Sequence, residues 1–228
     1  MVDIETVGVP WDELDEKTRD YLAGRLQTDA EREALPRRLG LAPGTGRAIV
    51  IAMQNVDNDG KGGVLYEGEG DGWSDGGPMG FKRFIGDERS ILTEFWSRIK
   101  NADRIVTFNG RMFDGPFLMI RSAMLGVRPS RNLVGYRYSL SPHCDLQEVL
   151  TFFGATARGQ TFSLDYWCRR FGITSPKEAG LDGSLVGEYY LAGKLDEIVE
   201  YCVRDVAATG ALYAALKGTL IPVLGARE

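Results

Sequence analysis

Four acidic side chains and one tyrosine stand where their spacing could do chemistry. In the opening MVDIETVG, Asp3 and Glu5 sit at i and i+2. A β-strand there projects both carboxylates from one face, close enough to share a cation, with Ile4 on the other face. Two acids so close repel each other, and an offsetting positive charge or metal would relieve them. In IVTFNGRMFDGPFL, a near-continuous apolar strand ends at Asn109-Gly110 and a helix opens around Phe113-Asp114; strand ends are where sites are built. In YCVRD, Tyr201 and Asp205 stand four apart in a strongly helical stretch, one above the other. Ile198, Tyr201, Cys202, Asp205, Val206 and Thr209 fall on one stripe, with Glu197, Glu200 and Arg204 elsewhere. An acid on such a largely apolar stripe is costly unless it has a partner.

Each segment taken alone admits a plainer reading. Asp3 and Glu5 fit the alternating acids of a solvated strand. Asp114, with Arg111 as a nearby cation, fits a first-turn helix acid favoured by the macrodipole. Asp205 fits a buried ion pair with an arginine.

The elements that must position these residues follow from pattern. Residues 2–5 read as a short strand. Residues 11–38 hold two charged amphipathic stretches, with Thr28 and Glu31 forming a capping box for the second, and read as a helical insertion. AIVIAMQNV (48–56), GGVLYEG (62–68) and GFKRFI (80–85) read as strands of a meander, and the glycine-dense 58–80 region as hairpin turns or a loop. A helix from Glu88 to about Lys100, the strand RIVTF and a helix from about Phe113 to Leu125 follow. Residues 128–142 read as loop. The remainder is chiefly helical, with segments that mostly end at glycine. Strands, then a strand and helix alternation, then helices describe one mixed α/β domain spanning 1–228.

Composition narrows the functional classes. The 228 residues are 43% hydrophobic and 26% charged, which excludes a disordered, collagen-like or coiled-coil chain. With 27 basic against 32 acidic residues the net charge is −5, so a nucleic-acid function must rest on local sites. Three cysteines without CxxC spacing support neither a disulfide framework nor a cysteine zinc site, which fits a reducing cytoplasm. No signal peptide and no apolar run of membrane-spanning length is seen. His143 is the sole histidine, so multi-histidine metal sites are excluded and any metal must be held mainly by carboxylates. Asp145, two residues after it in HCDL, reads as a helix-start residue. Trp167, Phe171, Tyr189 and Tyr190 read as core.

DIET, NGRMFD and YCVRD, in this order on a strand, a strand-to-helix junction and a helix, form the specific signal. The chain resembles the tyrosine-bearing subgroup of the DEDD superfamily of 3′-5′ exonucleases, and is most similar to bacterial proteins related to the exonuclease domain of family-B DNA polymerases. HCDLQEVL, SLDYWCRRFGI, Lys177 and DVAATGALY also match the family pattern, so the resemblance covers nearly the whole chain. It implies a ribonuclease H-like fold, a mixed β-sheet flanked by helices. It implies Asp3, Glu5, Asp114 and Asp205 as ligands of two divalent ions, and Tyr201 beside the attacking water. Hard oxygen ligands of this kind favour Mg²⁺ or Mn²⁺. By the same resemblance Thr6, Asn109, Arg111, Phe113 and Lys177 are candidates for substrate contact, and Arg158, Arg169 and Arg170 are further candidates for the nucleic-acid backbone.

The implied substrate is the 3′ end of single-stranded DNA, with RNA the alternative because nothing in the motifs reads a 2′-hydroxyl. A rival of another class is a non-catalytic nucleic-acid-binding module on the same fold, against which the retention of all four acids speaks. Only Met1 and Val2 precede Asp3, a shorter lead-in than the family's first strand, which is consistent with a start further upstream.

Overall fold

The structure of the protein is a computed structural model and describes residues 1–26, 28–58, 60–70, 72–156, 161–175 and 180–225. Strand β1 (Val2–Gly8) is followed by a 3-10 turn (Trp11–Glu13) and helices α1 (Glu16–Ala23) and α2 (Asp29–Leu39). The capping box of α2 forms as expected: the Thr28 hydroxyl accepts from Glu31 N–H at 3.2 Å and the Glu31 carboxylate accepts from Thr28 N–H at 3.1 Å. Strands β2 (Gly46–Gln54), β3 (Gly62–Glu67), β4 (Gly72–Ser74) and β5 (Lys82–Gly86) complete a five-stranded sheet of order β1-β2-β3-β5-β4.

This sheet departs from the expected meander. β3 and β5 are neighbours but run parallel, because the chain passes through β4, which takes the antiparallel place on the far side of β5. Glycines make room for the crossing: a Cβ on Gly62 would collide with the Phe81 ring, and one on Gly63 would lie 2.8 Å from the Trp73 ring.

Helix α3 (Glu88–Ile99) leads to β6 (Ile105–Thr107), and α4 (Asp114–Met124) follows that strand. β7 (His143–Asp145) pairs parallel with β6 in a second, two-stranded sheet, and β6 lies alongside β1. Five helices follow: α5 (Leu146–Leu150), α6 (Leu164–Arg170), α7 (Val186–Leu191), the 23-residue α8 (Leu195–Lys217) and α9 (Leu220–Gly225). None of the helices among the described residues is long and apolar enough to cross a membrane.

The run AIVIA in β2 is fully buried because that strand is covered on both faces. Ile49, Val50 and Ala52 pack with Ile198, Cys202, Val206 and Leu212 of α8. On the other face, Val2, Ile4, Ile51 and Leu65 pack with Ile91 and Phe95 of α3 and Phe117 and Leu118 of α4. Each such aliphatic or aromatic side chain contributes about 1.5–3 kcal/mol when fully buried. These two layers fix α8 and α4 on opposite faces of β1. Of the four residues expected in the core, Phe171 departs, being 41% exposed at the end of α6.

Candidate active site

β1 places the first two acids. Val2 and Ile4 enter the core under α3 and α4, so the period of two turns Asp3 and Glu5 toward α8. Their antiparallel partners Ala52 and Val50 lie in the core on that side. Between Glu5 and Thr6 the register slips by one residue, with Ile49 the extra residue in β2. Bulges of this kind bend strands and recur beside active sites. Thr6 is not turned to the acids; its hydroxyl donates to Gly40 O at 2.7 Å and ties β1 to the end of α2.

Asp114 comes from the other side. It is the first residue of α4, only 5% exposed, and its carboxylate accepts a hydrogen bond from the backbone N–H of Ile4. That bond joins the turn after β6 to the free edge of β1. Asn109, half-buried, holds the turn with a left-handed φ of 64°, and Gly110 follows where a Cβ would strike Thr107. Phe113 packs its ring on Phe117, 5.5 Å between centroids.

Tyr201 and Asp205 come from α8, and the stripe inferred from spacing is the buried face of that helix. The Tyr201 phenol donates to the Asp205 carboxylate, as the four-residue spacing permits. Cys202, on the same stripe, points its thiol at Asp3, 3.5 Å from Oδ2.

The four carboxylates converge, and each pair among them interacts repulsively. Burial, then Asp205, Asp114 and Glu5, push the Asp3 carboxyl well above the usual range. Burial, then Asp205, Asp114 and Asp182, do the same to Glu5. Burial raises Asp114 to about 7, against the hydrogen bonds that favour its charged form. The Tyr201 phenol is raised by burial first and by Asp205, Glu5 and Asp3 after it, so it stays protonated at neutral pH. Donor atoms of Asp3, Glu5 and Cys202 lie within 4.8 Å of one another. Buried oxygen donors that repel one another fit divalent cations, which would remove the cost that burial imposes.

Arg111 does not belong to this cluster, contrary to its expected place beside Asp114 and the substrate. It is 5% exposed, and its guanidinium donates from Nε to Glu148 Oε2 at 2.6 Å and from its Nη atoms to the carbonyls of Val134, Tyr136, Ser139 and His143. With its donors engaged, it organises the loop before β7 and has none to offer a phosphate. Arg169 and Arg170 are exposed on α6, Arg169 pairing with Asp165 at 3.0 Å. Lys177 and Arg158 lie outside the described residues.

Two participants were given no role from sequence. Cys202 was placed on the stripe without a role, and its contact with Asp3 follows from that placement. Asp182 faces Glu5 from the loop before α7, where no periodicity marks it. At the adjoining Gly183 a Cβ would sit 3.8 Å from the Tyr201 hydroxyl, so this loop borders the tyrosine.

A mixed sheet flanked by helices, carrying acids on its first strand, after a later strand and on a long C-terminal helix, is a ribonuclease H-like fold. The family described as "Predicted 3'-5' exonuclease related to the exonuclease domain of PolB" matches residues 80–220, well over half of the chain, and the protein belongs to that family. Asp3 and Glu5 lie before the matched residues. A solved family B DNA polymerase from the hyperthermophilic archaeon Pyrobaculum calidifontis shares the fold, with a TM-score of 0.62 and 19% identity. The match covers 100% of this chain and 26% of the polymerase chain, so the protein spans about a quarter of it. Comparison with curated proteins gives no match.

Proposed function

We propose that the chain, acting as one unit over residues 1–228, is a divalent-metal-dependent 3′-5′ exonuclease that removes nucleoside 5′-monophosphates from single-stranded DNA. The observation that carries this reading is the convergence of Asp3, Glu5, Asp114 and Asp205 from three separate elements, all mutually repelling, with the Tyr201 hydroxyl bonded to Asp205. Two ions, Mg²⁺ or Mn²⁺, held by these carboxylates would supply Lewis-acid chemistry, activating water and stabilising the leaving 3′ oxygen. They would also reconcile an acidic pocket with a polyanionic substrate.

The protein's own groups do the rest. Asp114, fixed by Ile4 N–H, keeps the carboxylates of β1 and α4 in register. Tyr201 cannot serve as general base, because its proton is held more tightly than in a free phenol. Its part is to orient the attacking water and Asp205 by hydrogen bonding. Asn109 and Phe113, on the turn that carries Asp114, are positioned to meet the terminal nucleotide. Phe162 and Tyr166, stacked at 4.3 Å and exposed at α6, offer faces for unpaired bases. The DNA preference draws on the fold shared with a DNA polymerase.

The test is digestion of 5′-labelled single-stranded DNA and RNA with Mn²⁺ or with EDTA. A ladder shortening from the 3′ end, abolished by EDTA, is expected on DNA. A ladder on RNA alone would reassign the substrate, and none on either would overturn the reading. A 3′-phosphate should block the reaction and closed circles should survive; cleavage of circles at the linear rate would make the enzyme an endonuclease.

A further inference from the structure

We propose that Asp145 is a positioning residue for the active site, clamping the turn that delivers Asn109, Phe113 and Asp114. This deepens the nuclease reading and rests on it for its kinetic consequence. Asp145 is 1% exposed and ends β7, next to β6. Its Oδ1 accepts from Asn109 N–H at 2.9 Å and its Oδ2 from Arg111 N–H at 3.0 Å. The same carboxylate caps α5, taking Gln147 N–H at 2.9 Å and Glu148 N–H at 3.4 Å. One carboxylate therefore links the start of α5 to the turn opening toward α4.

The residue between the two clamped amides is held as well. Gly110 N–H donates to Thr107 Oγ1 at 3.1 Å, and that hydroxyl contacts His143 Nε2 at 2.8 Å. His143 Nδ1 faces Leu133 O, an atom that can only accept, so Nδ1 carries the proton and Nε2 accepts from Thr107. All three consecutive amides of the turn, 109 to 111, are thus taken by side chains rather than by strand or helix.

Met112 N–H to Asn109 O at 3.2 Å and Gly115 N–H to Gly110 O at 2.7 Å close the turn, and the clamp offsets the cost of holding its non-glycine residue Asn109 at φ 64°. Asp114 follows three residues after the last clamped amide, and displacements near 1 Å in an active site can cost about 10²-fold in rate. Asp145 also raises the Asp114 carboxyl through its charge, and it reaches the turn itself through the Asn109 and Arg111 backbone amides.

The experiment compares Asp145→Asn with Asp87→Asn. Asp87 is the N-cap of α3, where its carboxylate accepts Ser90 N–H at 2.8 Å, and serves as a cap remote from the acids. Hydrogen exchange on the full chain in EDTA reads the clamp without reference to activity. Asp145→Asn should speed exchange of the Asn109 and Arg111 amides at least tenfold relative to the rest of the sheet, whereas Asp87→Asn should leave them unchanged. Unchanged protection of those amides in Asp145→Asn overturns the clamp.

Single-turnover digestion at saturating Mn²⁺ then reads its consequence. A 10- to 100-fold lower rate in Asp145→Asn, with Asp87→Asn at the parent rate, is expected. Equal losses in both variants, tracking their unfolding midpoints, would reduce Asp145 to an ordinary cap. A parent protein without 3′-end activity would sink the nuclease reading, while the exchange result would still decide the clamp.

Discussion

Two groups of buried acids lie on either side of the turn after β6, and they are treated in opposite ways. On one side, Glu148 is bound by Arg111 at 2.6 Å and by Arg137 at 3.3 Å, while Asp145 receives four backbone N–H groups. On the other, Asp3, Glu5 and Asp114 face one another and Asp205; burial drives their carboxyls upward as it does that of Glu148, but their charged neighbours add to the rise where the arginines beside Glu148 oppose it. Among the described residues, arginine pairing is applied to Glu148 next to the site, whereas Asp3, Glu5 and Asp114 are surrounded mainly by other carboxylates. Compensated acids hold the scaffold. Acids that repel one another make the folded state less stable than it need be, a cost that a bound cation would offset.

The contrast is open to attack by substitution. Asp114→Asn or Asp205→Asn should lower the single-turnover rate by on the order of 10³-fold or more, the scale for losing a group that stabilises the transition state. In EDTA Asp114→Asn should melt higher than the parent, because it removes a charge that burial disfavours; calorimetry with Mn²⁺ should show weakened binding in both variants. A variant that melts lower in EDTA and binds Mn²⁺ as the parent does would erase the distinction between the two groups.

Tyr201→Phe keeps the ring and removes one hydrogen bond. A loss of roughly 10- to 1,000-fold in rate, with Mn²⁺ binding retained, is expected on the scale of a positioned donor. Parent rates would return Tyr201 to mere packing.

On the compensated side the sign should reverse. Arg111→Met leaves Glu148 to Arg137 alone and strands four carbonyls, and should cost about 3–5 kcal/mol of stability, the usual penalty for breaking a buried pair from one side. Urea unfolding measures it, and a neutral outcome would show that the pair is not holding the loop.

pH supplies the gentlest probe. A folded-state pKa raised above its unfolded value gives stability that is present at low pH and lost as pH rises through the folded value. With Asp114 near 7 and Asp3 and Glu5 also raised, the acids should lower the melting temperature in EDTA between pH 6.5 and 8. The Met1 amino group, which burial lowers to about 6, works in the opposite sense. Asp114→Asn should lose part of the fall that the acids cause. His143 opposes this slope at the acidic end of the window, since burial lowers it to about 4 in the folded state while an unfolded imidazole near 6.5 is still partly protonated there. Saturating Mn²⁺ should flatten or invert the slope, because cations favour the ionised carboxylates. A slope indifferent to Mn²⁺ would mean that the ions do not bind these acids.

Elements with a strong local signal were legible from sequence. β1, the strand RIVTF and the long helix carrying YCVRD were placed within a few residues, because alternation and three-to-four spacing are local properties of the chain. The parallel pairing of β3 with β5 was not, because short strands of similar pattern do not encode which neighbour they choose. Helix α9 was missed as well, as Pro222 interrupts its helical pattern. Arg111 was assigned to the substrate because a cation near a candidate site looks available; its true partners, Glu148 and the loop carbonyls, lie 23 to 37 residues away in sequence.

By itself, then, the order of residues determined which acids could act together: two on one strand face, one at a strand-to-helix junction, and one a turn beyond a tyrosine on an apolar stripe. Those relations depend only on the periods of strand and helix, which are properties of covalent geometry. Tertiary structure decided which acids are paired with arginine and which are gathered together. Arginine and carboxylate pair, and backbone amides find their acceptors, only when distant segments pack. The same packing turned Arg111 and Asp145 into scaffold, bound Asp114 to Ile4 N–H, and brought Asp3, Glu5 and Asp205 to face Asp114.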